Sequence, residues 1–218
     1  MNTTATLPPP SHVVLDACVL MPGILRRLWL RLAGMGLYEP IWSEYIGDEW
    51  RRNAARIWSI PAERLQQEWH DMQTAFPTAC AGNLQEWKAG LRYSDPKDWH
   101  VIAAARDAQA RSPEASIAIA TWNLRDFNRS ELRRLGLQAV SPDTLLARFW
   151  HAAPSALLAV LEGMAQDASD LGGTPEPIAD ALRRERLFLL RQLFWAQAQR
   201  QQTTGAEPLS SSLTPTTS

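Results

Sequence analysis

Apolar positions along the chain fall into two rhythms. Short unbroken runs occur at His-Val-Val-Leu15, at Ser116-Ile-Ala-Ile-Ala120 and over 137–140, each followed by polar or turn residues. Runs of this length read as buried strands rather than helices. Elsewhere apolar residues recur at helical spacing. Residues 24–33 form one such pattern, carrying Arg26, Arg27 and Arg31. Ser43 is placed to cap a helix over 44–58, in which Ile46, Trp50, Ala54 and Ile57 make the apolar stripe. Ser59 and Pro61 open another, ending near Phe76-Pro77. Residues 38–42 read as a connector, and 78–94 as a loop with a helical turn around 84–88. Helices are further predicted at 96–110, at 130–135 and from Pro142 to Trp150. Strands alternating with helices imply an α/β fold whose parallel sheet carries helices on both faces.

After about residue 151 the pattern is helical only, with segments at 155–167 and 177–200 separated by Leu171-Gly-Gly-Thr-Pro. Leu182, Leu189, Leu190, Leu193 and Phe194 give the second a broad apolar face, which calls for a packing partner. The expectation is a helical C-terminal extension over 148–201. Residues 1–11 read as a loose polar arm, and 202–218, rich in Ser, Thr, Pro and Gly, as a disordered tail.

Composition changes this picture little. With 218 residues, 45% hydrophobic, the chain can fill a core, and a net charge of −1 gives no global sign of nucleic-acid binding. Lys88 and Lys97 are the only lysines among 22 cations, the rest being arginine, which suits bidentate phosphate contact but also follows from a GC-rich genome. Cys18 and Cys80 form no metal or disulfide pattern, as expected of a reduced, cytoplasmic protein. The start lacks a basic region followed by an apolar run, and no apolar run is long enough for a membrane span.

The chemistry centres on Asp95-Pro-Lys-Asp98-Trp-His-Val-Ile-Ala-Ala-Ala105. Asp95 followed by Pro96 reads as a helix cap with proline at the first helical position. Asp98 then heads a core-facing stripe continued by Val101, Ile102 and Ala105. In an open parallel sheet, sites gather outside the carboxyl ends of the strands. Asp16 ends the first strand there, and Thr121, Asn123 and Asp126 follow the second. A helix feeding a parallel strand runs antiparallel to it, so Asp98 reaches the same edge. Glu49 could reach in from 44–58. Four acids without histidine or cysteine suit Mg²⁺ or Mn²⁺, ions that serve phosphodiester hydrolysis. Thr121 and Asn123 would orient ligands or phosphate. Arg125, Arg129, Arg133 and Arg134 follow closely, as phosphate contacts or a solvated face. Each acid also has an ordinary reading: a strand end for Asp16, a surface pair with Arg52 or Asn53 for Glu49, a cap for Asp95 and for Asp126.

Four stretches carry a family resemblance: Leu-Asp16-Ala-Cys-Val-Leu, Ser43-Glu-Tyr-Ile-Gly-Asp-Glu49, the Asp95–Asp98 stretch, and Thr121-Trp-Asn-Leu-Arg-Asp126-Phe. Their order resembles the motifs of PIN-domain nucleases, most closely VapC-type toxins of bacterial toxin–antitoxin pairs, over roughly 12–147. The resemblance implies a three-layer α/β/α fold, metal-dependent cleavage of single-stranded RNA and neutralisation by a cognate antitoxin; a homodimer stays open. By motif matching, the family's acids fall on Asp16, Glu49, Asp98 and Asp126. Asn123 stands where some members have another acid, which leaves the number of metals open, and Glu44 is a rival to Glu49. The tail resembles an extension found in a subset of these toxins. The competing expectations are a catalytically idle PIN-like binding module, a housekeeping RNA-processing nuclease, and a receiver-type phosphotransfer domain. The last needs a lysine at the acids, and Lys97 is expected to point away from them.

Overall fold

Val13, Val14 and Leu15 are fully buried, as are Ala118, Ile119 and Ala120. Strands covered on both sides need no polar alternation, which is why these segments read as continuous apolar runs. The computed structural model describes residues 7–204. Its sheet has four parallel strands, β1 (His12–Leu15), β2 (Glu39–Ile41), β3 (Ile117–Ala120) and β4 (Gln138–Val140), in the order β2-β1-β3-β4. Register sets His12 beside both Glu39 and Ile117, and Ala120 beside Val140. The predicted connector at 38–42 thus contains a strand. It escaped the sequence pattern because it is three residues long with Pro40 at its centre; proline is tolerated there because β2 is an edge strand.

Helices flank the sheet: α1 (Ala17–Leu20), α2 (Gly23–Gly34), α3 (Glu44–Trp58), α4 (Ala62–Ala75), α5 (Trp99–Arg111), α6 (Arg129–Arg134) and α7 (Pro142–Ala152). As expected, Ser43 caps α3, its hydroxyl oxygen accepting the Ile46 N–H at 3.3 Å. Ile46, Trp50 and Ala54 are fully buried, but the predicted stripe stops short: Ile57, in the last turn, is left uncovered at 54% exposure. The helix predicted over 96–110 begins instead as a single 3-10 turn, Pro96–Asp98, before α5.

Four further helices follow: α8 (Pro154–Glu162), α9 (Met164–Asp170), α10 (Ile178–Arg184) and α11 (Phe188–Thr204). The helix expected over 155–167 is divided at Gly163, and the one expected over 177–200 is interrupted as well. Arg186 adopts a left-handed conformation, φ 63°, and the Leu187 N–H reaches back to the Leu182 carbonyl at 2.8 Å. This is a helix-ending turn. Periodicity hid it because apolar Leu182, Leu187 and Leu190, all fully buried, continue across the break. Leu189, expected on the buried face, is 44% exposed.

Polar ties hold these helices to the rest. Asp143 on α7 accepts the Leu189 and Leu190 N–H groups at 2.8 and 3.0 Å, capping α11 from another helix. Arg31 on α2 forks onto the buried Asp167 carboxylate at 2.7 and 2.6 Å. Leu157, Leu161, Leu182 and Leu190 belong to the same apolar core as the strands.

The N-terminal arm is pinned at its last residues: Pro10 is buried, and the Ser11 N–H donates to Ser116 Oγ at 2.9 Å. Residues 202–204, expected in the tail, still belong to α11. The rest of the predicted arm (1–6) and tail (205–218) lies outside the described residues. Among the described residues no single helix is long and apolar enough to cross a membrane; α7 with α8 and α9 would pass together but is bent by 120°.

Candidate functional site

Asp16 ends β1 in extended conformation and starts α1, its carbonyl accepting the Val19 and Leu20 N–H groups. Its side chain is held at the carboxyl edge of the sheet. Oδ2 accepts the Thr121 hydroxyl at 2.6 Å and the Cys18 thiol at 3.1 Å, and the residue is 3% exposed. Thr121 is itself fully buried, and its oxygen accepts the Asn123 N–H at 3.0 Å. Burial raises the Asp16 carboxyl above the ordinary carboxylate range, the two hydrogen bonds opposing this and the Glu49 charge adding to it. Cys18, marked out by no sequence pattern, is a donor rather than a thiolate: burial, then the Asp16 charge, pushes its thiol up to about 12.

Asp98 arrives through local capping. Asp95 Oδ1 accepts the Lys97 N–H at 3.0 Å, and the Asp98 N–H returns to the Asp95 carbonyl at 2.9 Å. Below it Val101, Ile102 and Ala105 are fully buried, as their spacing predicts. Asp98 is 6% exposed, and its Oδ2 is buried without a hydrogen-bond partner. Its carboxyl is pushed up to about 6, first by burial and next by the Asp16 charge, with Asp126 and Asp95 adding and Lys97 opposing. Asp16 and Asp98 are therefore electrostatically coupled at one edge. Glu131, also unremarked in the sequence, anchors the approach. Its buried carboxylate accepts the N–H groups of Arg92, Tyr93 and Ser94 at 2.7, 3.1 and 2.8 Å.

Asp126 is not a helix cap; Asn128 caps α6 instead, accepting the Glu131 N–H at 3.0 Å. The Asp126 carbonyl accepts the Asp95 N–H at 2.8 Å, joining the two acidic loops. Lys97 does not point away. Its ammonium donates to Asp126 Oδ2 at 3.1 Å and lies 3.4 and 3.8 Å from carboxylate oxygens of Asp95 and Asp98. Close-set carboxylates attract whatever cation their own chain can supply. Asn123 brings an exposed side chain to the same loop.

Glu49 is half-exposed and faces His100, with Oε2 3.4 Å from Nε2, not Arg52 or Asn53. The His100 ring is oriented by its other nitrogen, 2.8 Å from the Lys97 carbonyl. That oxygen can only accept, so Nδ1 carries the hydrogen. His100 and nearby cations hold the Glu49 carboxyl below its ordinary value despite partial burial. Glu44 serves the α3–α4 contact, accepting from Trp69 Nε1 and Gln73 Nε2.

The donors fit a hard divalent ion in kind: oxygen only, with one buried carboxylate oxygen accepting no hydrogen bond. The coordination set is not assembled. Among the described residues no three His, Cys, Asp or Glu side chains are arranged to hold a metal ion. Lys97 engages Asp126, and Glu49 faces His100.

What the fold and edge define is an α/β protein with a four-stranded parallel sheet, flanking helices, C-terminal helices and an acidic carboxyl edge. No protein-family model, curated protein or solved structure matches the chain.

Proposed function

We propose that the chain is a three-layer α/β/α PIN-like endoribonuclease, dependent on Mg²⁺ or Mn²⁺ and acting as the toxin of a toxin–antitoxin pair. The observation that carries this reading is the carboxylate pair Asp16 and Asp98 at the carboxyl edge, with Asp98 Oδ2 buried, accepting no hydrogen bond and 3.8 Å from the Lys97 ammonium. A buried anionic pair of this kind is costly unless a cation shares it. Asp16 and Asp98 would hold the ion, with Glu49 and Asp126 beside them. Such an ion lowers the pKa of water and stabilises charge on phosphate oxygens. Thr121 and Cys18 both donate to Asp16 Oδ2, which orients the carboxylate before any ion binds. Asn123 offers a neutral amide at the exposed side, where an RNA phosphate would lie.

The test is cleavage of single-stranded RNA by purified full-length protein. Cleavage should require Mg²⁺ or Mn²⁺, stop with EDTA, and fall at least ~10²-fold in Asp98→Asn. Equal cleavage by a folded Asp98→Asn protein would reduce Asp98 to a helix start. Induced expression should arrest growth only with Asp98 intact, and a small neighbouring antitoxin gene should restore it.

One observation favours a second reading. The Lys97 ammonium already lies among Asp95, Asp98 and Asp126, as in an idle module that binds RNA or protein without cleaving. RNA binding with no cleavage at any Mn²⁺ concentration would select it.

A further inference from the structure

The turn between α10 and α11 brings a cation to the same edge. Arg186 lies over the Trp122 ring, its guanidinium carbon 5.1 Å from the centroid. Trp122 is the residue after Thr121, and its N–H donates to Cys18 Sγ at 3.3 Å, so the ring's backbone is fixed to the groups that hold Asp16. The topology explains the meeting. β4 ends at Val140, beside the end of β3, and α7 starts at Pro142 on that edge. Asp143, in the first turn of α7, caps α11. The turn carrying Arg186 must therefore lie at the carboxyl ends of the strands.

Two features suit Arg186 to a ligand rather than to packing. It holds a left-handed conformation, φ 63°, where glycine would be relaxed. Its side chain is exposed, and among the described residues it pairs with no carboxylate. Arg125, 94% exposed beside Asp126, places a second cation at the rim. Guanidinium over indole makes a platform on which a base can stack while a phosphate meets the charge.

We propose that Arg186 and Trp122 form a subsite for a nucleotide of single-stranded RNA flanking the cleaved bond, so that the C-terminal helices supply part of the substrate site. This rests on the nuclease reading and adds the extension to it.

The test uses the full chain and fluorescein-labelled oligouridine, with binding followed by anisotropy in EDTA across a salt series. Arg186→Ala and Trp122→Ala should each weaken binding by about tenfold, and Arg186→Ala should lower the salt slope by about one. In cleavage assays Arg186→Ala should raise KM and leave kcat nearly unchanged. Arg186→Gly gives the sharpest contrast. It should weaken RNA binding equally while raising Tm by roughly 2–4 °C. A purely structural Arg186 predicts the reverse, a lower Tm with RNA binding intact, and that result overturns the inference. So does loss of binding with Trp122→Ala but not Arg186→Gly. If wild type cleaves RNA and Arg186→Ala cleaves with unchanged KM, the nuclease reading stands and the platform falls. If wild type neither binds nor cleaves RNA, both fall.

Discussion

Asp98 carries a cost that can be measured without any metal. Its carboxyl rises from 3.8 to about 6 on folding, so between those values the folded chain binds more protons than the unfolded one. Stability of the metal-free protein should therefore fall as pH rises from about 4 to 6 and stay low above, through this group. Asp98→Asn should flatten that window and be more stable than wild type at pH 7 in EDTA, by roughly 2–3 kcal/mol, since each unit is worth about 1.4. Urea unfolding at several pH values reads it. Asp16, also raised by burial, gives the complementary test. Asp16→Asn should not destabilise the metal-free protein, yet should abolish the gain that Mn²⁺ gives wild type, about 2.7 kcal/mol at a hundredfold excess over the dissociation constant. Equal Mn²⁺ shifts in both proteins would mean Asp16 is no ligand. The acids themselves were legible because strand ends and a capping sequence fix their place. Their supporting groups were not: Cys18 and Glu131 act across 3.1 Å and 2.7 Å contacts that only the folded chain creates. Helical spacing misplaces Lys97 because it says where a side chain starts, and a four-carbon stem ends elsewhere.

Among the helices, the α7–α11 tie makes the strongest demand. Asp143 is buried and accepts two N–H groups that α11 cannot satisfy itself. Asp143→Ala should cost about 2 kcal/mol or more, a lost cap plus buried donors left unpaired, and should lower the urea midpoint. A midpoint within error of wild type would mean α11 holds without this cap. The same contact shows where pattern reading runs out. Strands β1 and β3 and helices α2, α3 and α4 follow directly from apolar runs, helical spacing and Ser43. β2 fails because three residues around Pro40 carry no period. The break at Arg186 fails because the leucines on either side face the same core. Both features depend on neighbours distant in sequence, which local propensity cannot register.

The C-terminal helices share the core of the sheet domain, so the molecule should not divide at their boundary. Leu157, Leu161, Leu182, Leu187 and Leu190 are fully buried, and each contributes roughly 1.5–3 kcal/mol on burial. Together that rivals the roughly 5–15 kcal/mol net stability of a whole domain. Truncation after Trp150 should give aggregated or unfolded protein by gel filtration and circular dichroism. A soluble, folded product active on RNA would show the extension to be dispensable. The strand order carries a consequence in time. β1 pairs with β3, and Asp16 meets its hydroxyl donor Thr121, across 105 residues of chain. On a ribosome, the first acid emerges long before the residues that bury and orient it. Non-local closure of this kind is slow, so a nascent or interrupted chain holds every motif of the first half with no assembled edge. On the nuclease reading, cleavage can begin only after synthesis has passed β3 and Thr121, and the lag is written into the topology.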